Sequence, residues 1–122
     1  MIKKTTWRPL PDFLTIKDSK IEGLGVFATR DLPKGFDLGI SHIFDERFPD
    51  GYIRLPLGGF INHHEIPNCK AIVANEDKEM GKLRHIRIEA LQPIAEGQEI
   101  IIKYIINKLD NPNWEFEYEI SQ

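Results

Sequence analysis

Three groups of residues in this sequence have types and positions that suit ligand binding or chemistry. Gly23 and Gly25 are separated by one residue, and residues without a side chain let backbone amides approach a ligand closely. Asn62 lies in an apolar stretch, where a buried amide needs partners that a ligand or a neighbouring backbone segment can supply. Tyr104 ends an aliphatic run and carries a phenol hydroxyl. Plainer roles stay open here: a β-turn for the glycines and a core-capping position for the tyrosine.

The glycine pair also matches a nucleotide-binding pattern. The sequence GLGVFA at residues 23–28 fits the G-x-G-x-x-A form of the dinucleotide fingerprint. That fingerprint must follow a strand and open a long helix. Here residues 26–29 continue as a predicted strand, and Pro33 and Gly35 follow at once. A dinucleotide-binding fold is therefore not predicted.

Histidines and a cysteine raise the alternatives of a metal site and a nucleophile. His63 and His64 are adjacent, with His42, His85 and Cys69 as further possible ligands. A zinc site needs three or four ligands at fixed spacing, and adjacent strand residues point to opposite faces. We therefore predict no metal site and place His64 at the surface. A nucleophilic role for Cys69 would need a nearby base, and no partner stands at a typical spacing.

Short strands must position these residues. Alternating apolar residues and β-branched runs predict a mainly β domain without helical layers. The predicted strands are residues 13–16, 26–29, 36–43, 70–74, 83–88 and 99–106. Clusters of proline, glycine and asparagine predict turns or loops at residues 33–35, 49–51, 75–81 and 93–97.

The C-terminal residues 107–122 have a different character. After a polar stretch, Trp114, Phe116 and Tyr118 alternate with glutamates. An exposed tail would gain nothing from three aromatic side chains, since their burial is what stabilises a fold. We expect this segment to pack over the body of the protein, as a short edge strand or as one helical turn.

Size and charge limit the class of protein. The 122 residues fit a single domain, residues 1–122. The net charge of −3 argues against direct binding of nucleic acid. Residues 1–10 lack the apolar region of a signal peptide, and no apolar run approaches the roughly 20 residues that span a membrane. The single cysteine allows no internal disulfide, so we expect an intracellular protein, cytoplasmic or nuclear, without a membrane partner.

Three segments, taken in order, resemble a known family. They read GLGVFA at residues 23–28, FINHHEIPN at residues 60–68 and GQEIIIKY at residues 97–104. This order resembles the SET domain of protein lysine methyltransferases, whose motifs read roughly G-x-G-(V/L)-F-A, F-x-N-H-S-x-x-P-N and G-E-E-L-x-x-x-Y. The resemblance covers residues 13–106, and the chain length is similar to that of the smallest viral and microbial members, which lack cysteine-rich flanks.

The resemblance implies a fold and an activity. The fold would be the SET-domain fold, several small β-sheets around a C-terminal pseudoknot, in which the strand with Asn62 passes beneath a C-terminal loop. Such threading is a known exception to unknotted topology. The implied cofactor is S-adenosylmethionine, and the implied substrate is a lysine in a protein or peptide, histones included. Residues 107–122 would cover the cofactor site, and the small members suggest a homodimer.

The same resemblance implies which residues bind the methyl donor. The main chain of Gly23, Leu24 and Gly25 would approach the donor. Asn62 would lie near its amino-acid end, and the main chain of His63 near its adenine.

Further roles follow for residues in and after the third motif. Tyr104 would be the catalytic residue, orienting the amine lone pair through its hydroxyl and lining the lysine tunnel with Ile102. Trp114 would stack on adenine. Some members carry a phenol at the position of Ile102, which binds a water and limits methylation. Isoleucine cannot form a hydrogen bond, so Ile102 predicts more than one methylation.

The implied chemistry suits an apolar site. Methyl transfer from a sulfonium to an amine is an in-line displacement that needs a neutral amine, whereas free lysine has a pKa of about 10.4. Burial in an apolar tunnel and the nearby sulfonium both disfavour the ammonium form. No general base is then required, and most of the rate gain comes from holding amine, methyl and sulfur in line.

The sequence departs from the family pattern in three places. His64 replaces the usual serine. Ile105 and Ile106 follow Tyr104, so the second aromatic residue of Y-x-Y is absent. The segment 41–58, which in the family shapes much of the substrate groove, is short. Two alternatives to an active enzyme stay open. One is a SET-like module that binds cofactor or peptide without turnover. The other is a β-rich scaffold whose motifs are coincidental.

Overall fold

The described part of the chain comprises residues 9–49, 51–103 and 119–121 of a computed structural model, the last three by their backbone alone. Nine strands and one short helix follow one another in it. They are β1 (Leu14–Asp18), β2 (Leu24–Ala28), β3 (Asp37–Phe44), β4 (Tyr52–Arg54), α1 (Pro56–Phe60), β5 (Asn62–His63), β6 (Cys69–Ala74), β7 (His85–Ala90), β8 (Glu99–Ile102) and β9 (Glu119–Ser121).

A four-stranded sheet in the order β1-β2-β8-β5 brings the three sequence motifs side by side. Strands β1 and β2 form an antiparallel hairpin, and β8 pairs antiparallel with β2. On its other edge β8 pairs in parallel with β5, with Asn62 opposite Ile101 and His63 opposite Ile102. Parallel neighbours need a long crossover, so residues far apart in sequence meet here. This parallel pair is the part of the expected pseudoknot that lies within the described residues.

A five-stranded sheet in the order β4-β3-β7-β6-β9 forms the second layer. Strands β6 and β7 are a regular antiparallel hairpin, and β3 pairs with β7 through two register shifts near Gly39 and Ser41. Strand β9 joins β6 in parallel at one edge. The edge strand was one of the two forms expected for the C-terminal segment.

Apolar side chains from both sheets form one core. Leu14, Val26, Leu38, Ile88 and Ile100 are all at most 1% exposed and belong to a single contiguous cluster. Burying a side chain of this size stabilises a fold by about 1.5–3 kcal/mol each. Burial of these side chains in one cluster is therefore what holds the two sheets together.

The mainly β expectation is confirmed, with strands within a few residues of their predicted positions. The strand predicted at residues 83–88 begins later, because Leu83 is 52% exposed and its N–H donates to Met80 O in the preceding loop. The strand predicted at residues 99–106 is β8. It ends at Ile102, with residues 104–106 outside the described part.

The single-turn helix α1 was not predicted from the sequence. Proline stands at its start, which favours helix initiation, but Gly58 and Gly59 carry the lowest helix propensity after proline. Gly58 is required by packing, since a Cβ atom there would collide with Ser41 O and lie 2.7 Å from His42 Cε1. Tight packing on β3 therefore determines this helix. Among the described residues, no helix is long and apolar enough to cross a membrane.

The loop between β6 and β7 is organised by one carboxylate. Asp77 Oδ1 accepts from Met80 N at 2.6 Å, and Oδ2 accepts from Arg87 Nε and Nη2 at 3.0 and 2.9 Å. Oδ2 also lies 2.9 Å from Nε2 of the buried His85. The Met80 N–H, followed by the Arg87 guanidinium, lowers the pKa of Asp77 from 3.8 to about 2.

This carboxylate predicts a loss of stability in acid. Because the folded-state pKa of Asp77 lies below the unfolded value, the ionised carboxylate stabilises the fold above about pH 4 and loses this effect as the pH falls toward about 2. The urea midpoint of the Asp77→Asn variant should therefore be lower than that of the wild type at neutral pH and should change less across this window. Equal pH dependence in both proteins would refute the role of Asp77.

Candidate functional site

The loop between β1 and β2 is a tight turn built around Ser19 and Gly23. Ser19 N donates to Gly23 O at 2.7 Å, and Ser19 Oγ accepts from Ile21 N at 2.9 Å. Gly23 has φ +46°, in the left-handed region that favours glycine. The turn role is therefore correct for Gly23, and it fixes the backbone that leads into Leu24 and β2.

Gly25 is needed for a different reason, because its backbone does not require a positive φ. It is buried in β2 directly against the side chains of Glu99 and Asn62. A Cβ atom at this position would collide with Glu99 Oε2 and lie 2.9 Å from Glu99 Cδ and 3.0 Å from Asn62 Nδ2. The absent side chain makes room for a carboxylate and an amide.

Asn62 joins the glycine loop to β8. Its Nδ2 donates to Glu22 O at 3.2 Å, Leu24 O at 3.1 Å and Glu99 Oε2 at 2.9 Å. Three acceptors around one atom assign it as the amide nitrogen. The amide oxygen Oδ1 accepts no hydrogen bond from any described residue, and it reaches solvent, since every fully buried side-chain polar atom there has a partner. This oxygen is free to accept from a ligand.

Glu99, at the start of β8, supplies a negative charge beside Asn62. Its two carboxylate oxygens accept from Ser19 Oγ at 2.8 and 2.9 Å, and Oε2 also accepts from Asn62. The residue is half-buried. Within the part of the chain that the structure describes, no Lys, Arg or His side chain forms an ion pair with Glu99. Within these described residues, the site therefore combines an open amide oxygen with a carboxylate that has no ion-pair partner.

Comparison with known proteins decides the family. A family model for the SET domain matches residues 36–105, more than half of the chain. This protein belongs to the SET-domain family. The third motif and the Asn62 segment both lie inside the matched range, and the glycine motif at residues 23–28 lies a few residues before it.

Solved structures of similar fold support this assignment. A Plasmodium falciparum protein provisionally named a histone methyltransferase is 24% identical with a TM-score of 0.62, over 78% of this chain and 95% of that one. A humanized mutant of the Chaetomium thermophilum Polycomb Repressive Complex 2 is 20% identical with a TM-score of 0.57, over 75% of this chain and 14% of that one. The methyltransferase domain of human PR domain-containing protein 2 is 17% identical with a TM-score of 0.51, over 78% of this chain and 79% of that one. The search among curated proteins found no match. At these identities the likeness establishes the SET fold.

Asn68 lies in the loop after β5 of this SET domain and connects that loop to strand β8. Its buried amide donates from Nδ2 to Glu99 O at 2.8 Å, and its Oδ1 accepts from Ile101 N at 2.9 Å. The side chain thus pairs with β8 as a neighbouring strand would. Because Glu99 begins the same strand, Asn68 helps to fix the site, a role that the motif did not reveal.

Removal of this amide should destabilise the SET domain. Asn68→Ala leaves Glu99 O and Ile101 N unpaired in a buried place, and the free energy of unfolding should fall by about 2–4 kcal/mol. The control Asn75→Ala lies at an exposed loop position and should change it by less than about 0.5 kcal/mol. Urea denaturation of both variants measures the difference, and similar small losses would show that the two bonds contribute little.

His63, His64 and Ile102 lie together where β5 meets β8. Ile102 is 4% exposed and pairs with His63, while His64 N donates to Ile102 O at 3.0 Å. His63 Nε2 lies 2.9 Å from Glu65 Oε1, and the exposed His64 accepts from Ile66 N at Nδ1. The surface position predicted for His64 is thus confirmed. Among the described residues, no three His, Cys, Asp or Glu side chains are grouped to hold a metal.

Cys69 is unsuited to nucleophilic chemistry. It is 1% exposed at the start of β6, and burial raises the pKa of its thiol to about 12. The thiolate is the reactive form, and such a pKa disfavours it at neutral pH.

Sequence reasoning placed part of this site and missed part of it. The structure brings Gly23, Leu24, Gly25 and Asn62 together as expected, with Asn62 Nδ2 3.1 Å from Leu24 O. Tyr104 and Trp114 lie outside the described residues, so their roles stay predictions. Two further residues, Ser19 and Glu99, were not predicted. A carboxylate heading a β-branched strand could have signalled Glu99, whereas nothing in the sequence distinguishes Ser19.

Proposed function

We propose that this SET domain transfers a methyl group from S-adenosylmethionine to a lysine side chain of a protein. The observation that carries the proposal is the open Oδ1 of Asn62, held beside the Glu99 carboxylate and the carbonyls of the glycine loop. An acceptor atom next to a negative charge suits a ligand with an ammonium group. Membership of the SET-domain family supports the same assignment.

The residues present fit this donor. Asn62 would receive its amino-acid end, the main chain of Gly23, Leu24 and Gly25 would lie along it, and the main chain of His63 would contact its adenine. Trp114 would stack on the same adenine. When bound, S-adenosylmethionine would supply the methyl group as part of a sulfonium cation.

The acceptor side of the reaction depends on apolar residues and one phenol. Ile102 is buried at the end of β8, two residues before Tyr104, so it would form an apolar wall beside the incoming amine. Such a wall favours the neutral amine that the displacement needs. The Tyr104 hydroxyl would accept or donate one hydrogen bond and so orient the lone pair toward the methyl group.

The substrate is proposed to be a histone tail or a similar basic peptide. One structural relative is provisionally named a histone methyltransferase, and another is a methyltransferase domain. The peptide would lie beside residues 41–58, and the acidic balance of the chain, −3 overall, favours a basic partner. With Ile102 in place of a phenol, products beyond monomethyl-lysine are expected. A product restricted to monomethyl-lysine would refute this role of Ile102.

Two measurements on the full chain test the proposal. Calorimetry with S-adenosylmethionine measures donor binding, and transfer of a radiolabelled methyl group to a histone mixture, followed by mass spectrometry, identifies the modified residue. Labelled lysine supports an active enzyme. Donor binding without label on histones or on proteins of a cell lysate would instead support a binding module, and no donor binding would refute the proposed site.

A further inference from the structure

Glu99 is a half-buried acid whose charge no described cation balances. Its hydrogen bonds come from a neutral hydroxyl and a neutral amide, those of Ser19 and Asn62. Neutral donors orient a carboxylate but leave its net charge in place. Burying such a charge is costly unless it is paired, so a nearby cationic ligand would offset part of that cost.

The surrounding residues hold this carboxylate in one position. Gly25 provides the space for it, because a Cβ atom there would collide with Glu99 Oε2. The Ser19 hydroxyl contacts both carboxylate oxygens from the β1–β2 loop. Asn62, the residue with the open amide oxygen, donates to the same Oε2 at 2.9 Å. Three parts of the chain that are distant in sequence therefore place one negative charge beside the ligand-binding atom.

We propose that Glu99 is a positioning residue that makes the site select the cationic methyl donor over the neutral product. This inference rests on the proposed function. The donor carries a sulfonium, an ammonium and a carboxylate, and so has a net positive charge. After the methyl group has left, the sulfur is a neutral thioether and the product has no net charge.

Two effects of Glu99 can be separated by this difference. By holding the Asn62 amide nitrogen, Glu99 fixes the direction of Oδ1, which stabilises donor and product alike. By its charge, it attracts the donor more than the product. At a half-buried site solvent and salt screen this attraction only in part, so the donor competes better than the product for the same site.

The Glu99→Gln variant tests the charge effect. Glutamine keeps the size of the side chain, accepts from Asn62 through its amide oxygen and donates to Ser19 Oγ through its nitrogen. Calorimetry with S-adenosylmethionine and with S-adenosylhomocysteine should show donor affinity lowered about three- to tenfold and product affinity changed less than about twofold. The control Glu76→Gln removes the same charge from an exposed position in the loop between β6 and β7 and should leave both affinities unchanged.

The outcomes distinguish this inference from the proposed function. If the wild type binds neither compound, the proposed function fails. If the wild type binds both and Glu99→Gln weakens both equally, the selectivity role of Glu99 is overturned while the proposed function stands. Should the variant fail to fold, the wild-type donor-to-product affinity ratio still decides. This ratio should decrease when the salt concentration is raised from about 20 mM to about 500 mM, and a constant ratio would contradict the charge effect.

Discussion

Gly25→Ala is expected to lower donor affinity at least tenfold. The added methyl group would occupy the space of the Glu99 carboxylate, with 2.9 Å between the new Cβ and Glu99 Cδ. Either Glu99 or strand β2 must move, and Asn62 then loses the partner that orients its Oδ1. A loss of one charge-assisted hydrogen bond with its geometry corresponds to about 1.5–3 kcal/mol, or roughly ten- to hundredfold in affinity. Calorimetry with S-adenosylmethionine measures the effect.

A matched glycine provides the control for this substitution. A Cβ atom added to Gly59 in α1 would meet no atom of the described residues within 4 Å, and the φ of Gly59 is not positive. Gly59→Ala should therefore leave donor affinity unchanged and should not reduce stability. Unaltered donor binding by Gly25→Ala would show that the carboxylate is not part of the site.

A double-mutant cycle identifies the cause of the Gly25 effect. Glu99→Ala removes the atoms with which the new methyl group collides. Gly25→Ala should therefore lower the free energy of unfolding less in the Glu99→Ala background than in the wild type. Equal losses in both backgrounds would mean that the two residues do not act on each other.

Tyr104→Phe should keep donor binding and lose most turnover. Removal of the hydroxyl leaves the aromatic ring in place but removes the group that would orient the amine, and misplacement of reacting atoms costs about 100-fold in rate. Single-turnover methyl transfer at saturating donor should fall by about this factor, while the donor affinity measured by calorimetry stays within about twofold.

The control for Tyr104 removes a phenol hydroxyl elsewhere. Tyr52 is 6% exposed and packs against Phe44 and His42 in the second sheet. Tyr52→Phe should change the temperature of unfolding, leave donor affinity unchanged and lower single-turnover methyl transfer far less than Tyr104→Phe does. A wild-type rate in Tyr104→Phe would refute the proposed role of its hydroxyl.

Much of the strand arrangement could be predicted because burial leaves a pattern in the sequence. The alternation of apolar residues located β1, β2, β3 and β6 to within a few residues, since one face of each strand must enter the core. The helix α1 could not be predicted, because two of its five residues are glycines, which have low helix propensity, and only Gly58 is required by close packing on β3. Strand β4 has only three residues, too few for a periodic signal.

The candidate site, too, could be predicted only in part from the sequence. The spacing of the glycine motif, the Asn62 motif and the third motif was sufficient to predict the family, because a ligand site constrains residue types in order along the chain. Ser19 carries no such signal, and Glu99, although it lies in the third motif, was not assigned a role from it. They lie 80 positions apart, and only the antiparallel pairing of β8 with β2 brings them into contact.

The residue types in this chain were thus enough to indicate a mainly β SET domain and most of its ligand contacts, since hydrophobic period and motif order depend on short stretches. The contacts of Glu99 with Ser19 and Asn62, the open oxygen of Asn62 and the role of Asn68 followed from folding alone. These properties depend on which groups from distant strands face one another. Strand pairing on both edges of β8 brings these groups together, and the local sequence does not predict that pairing.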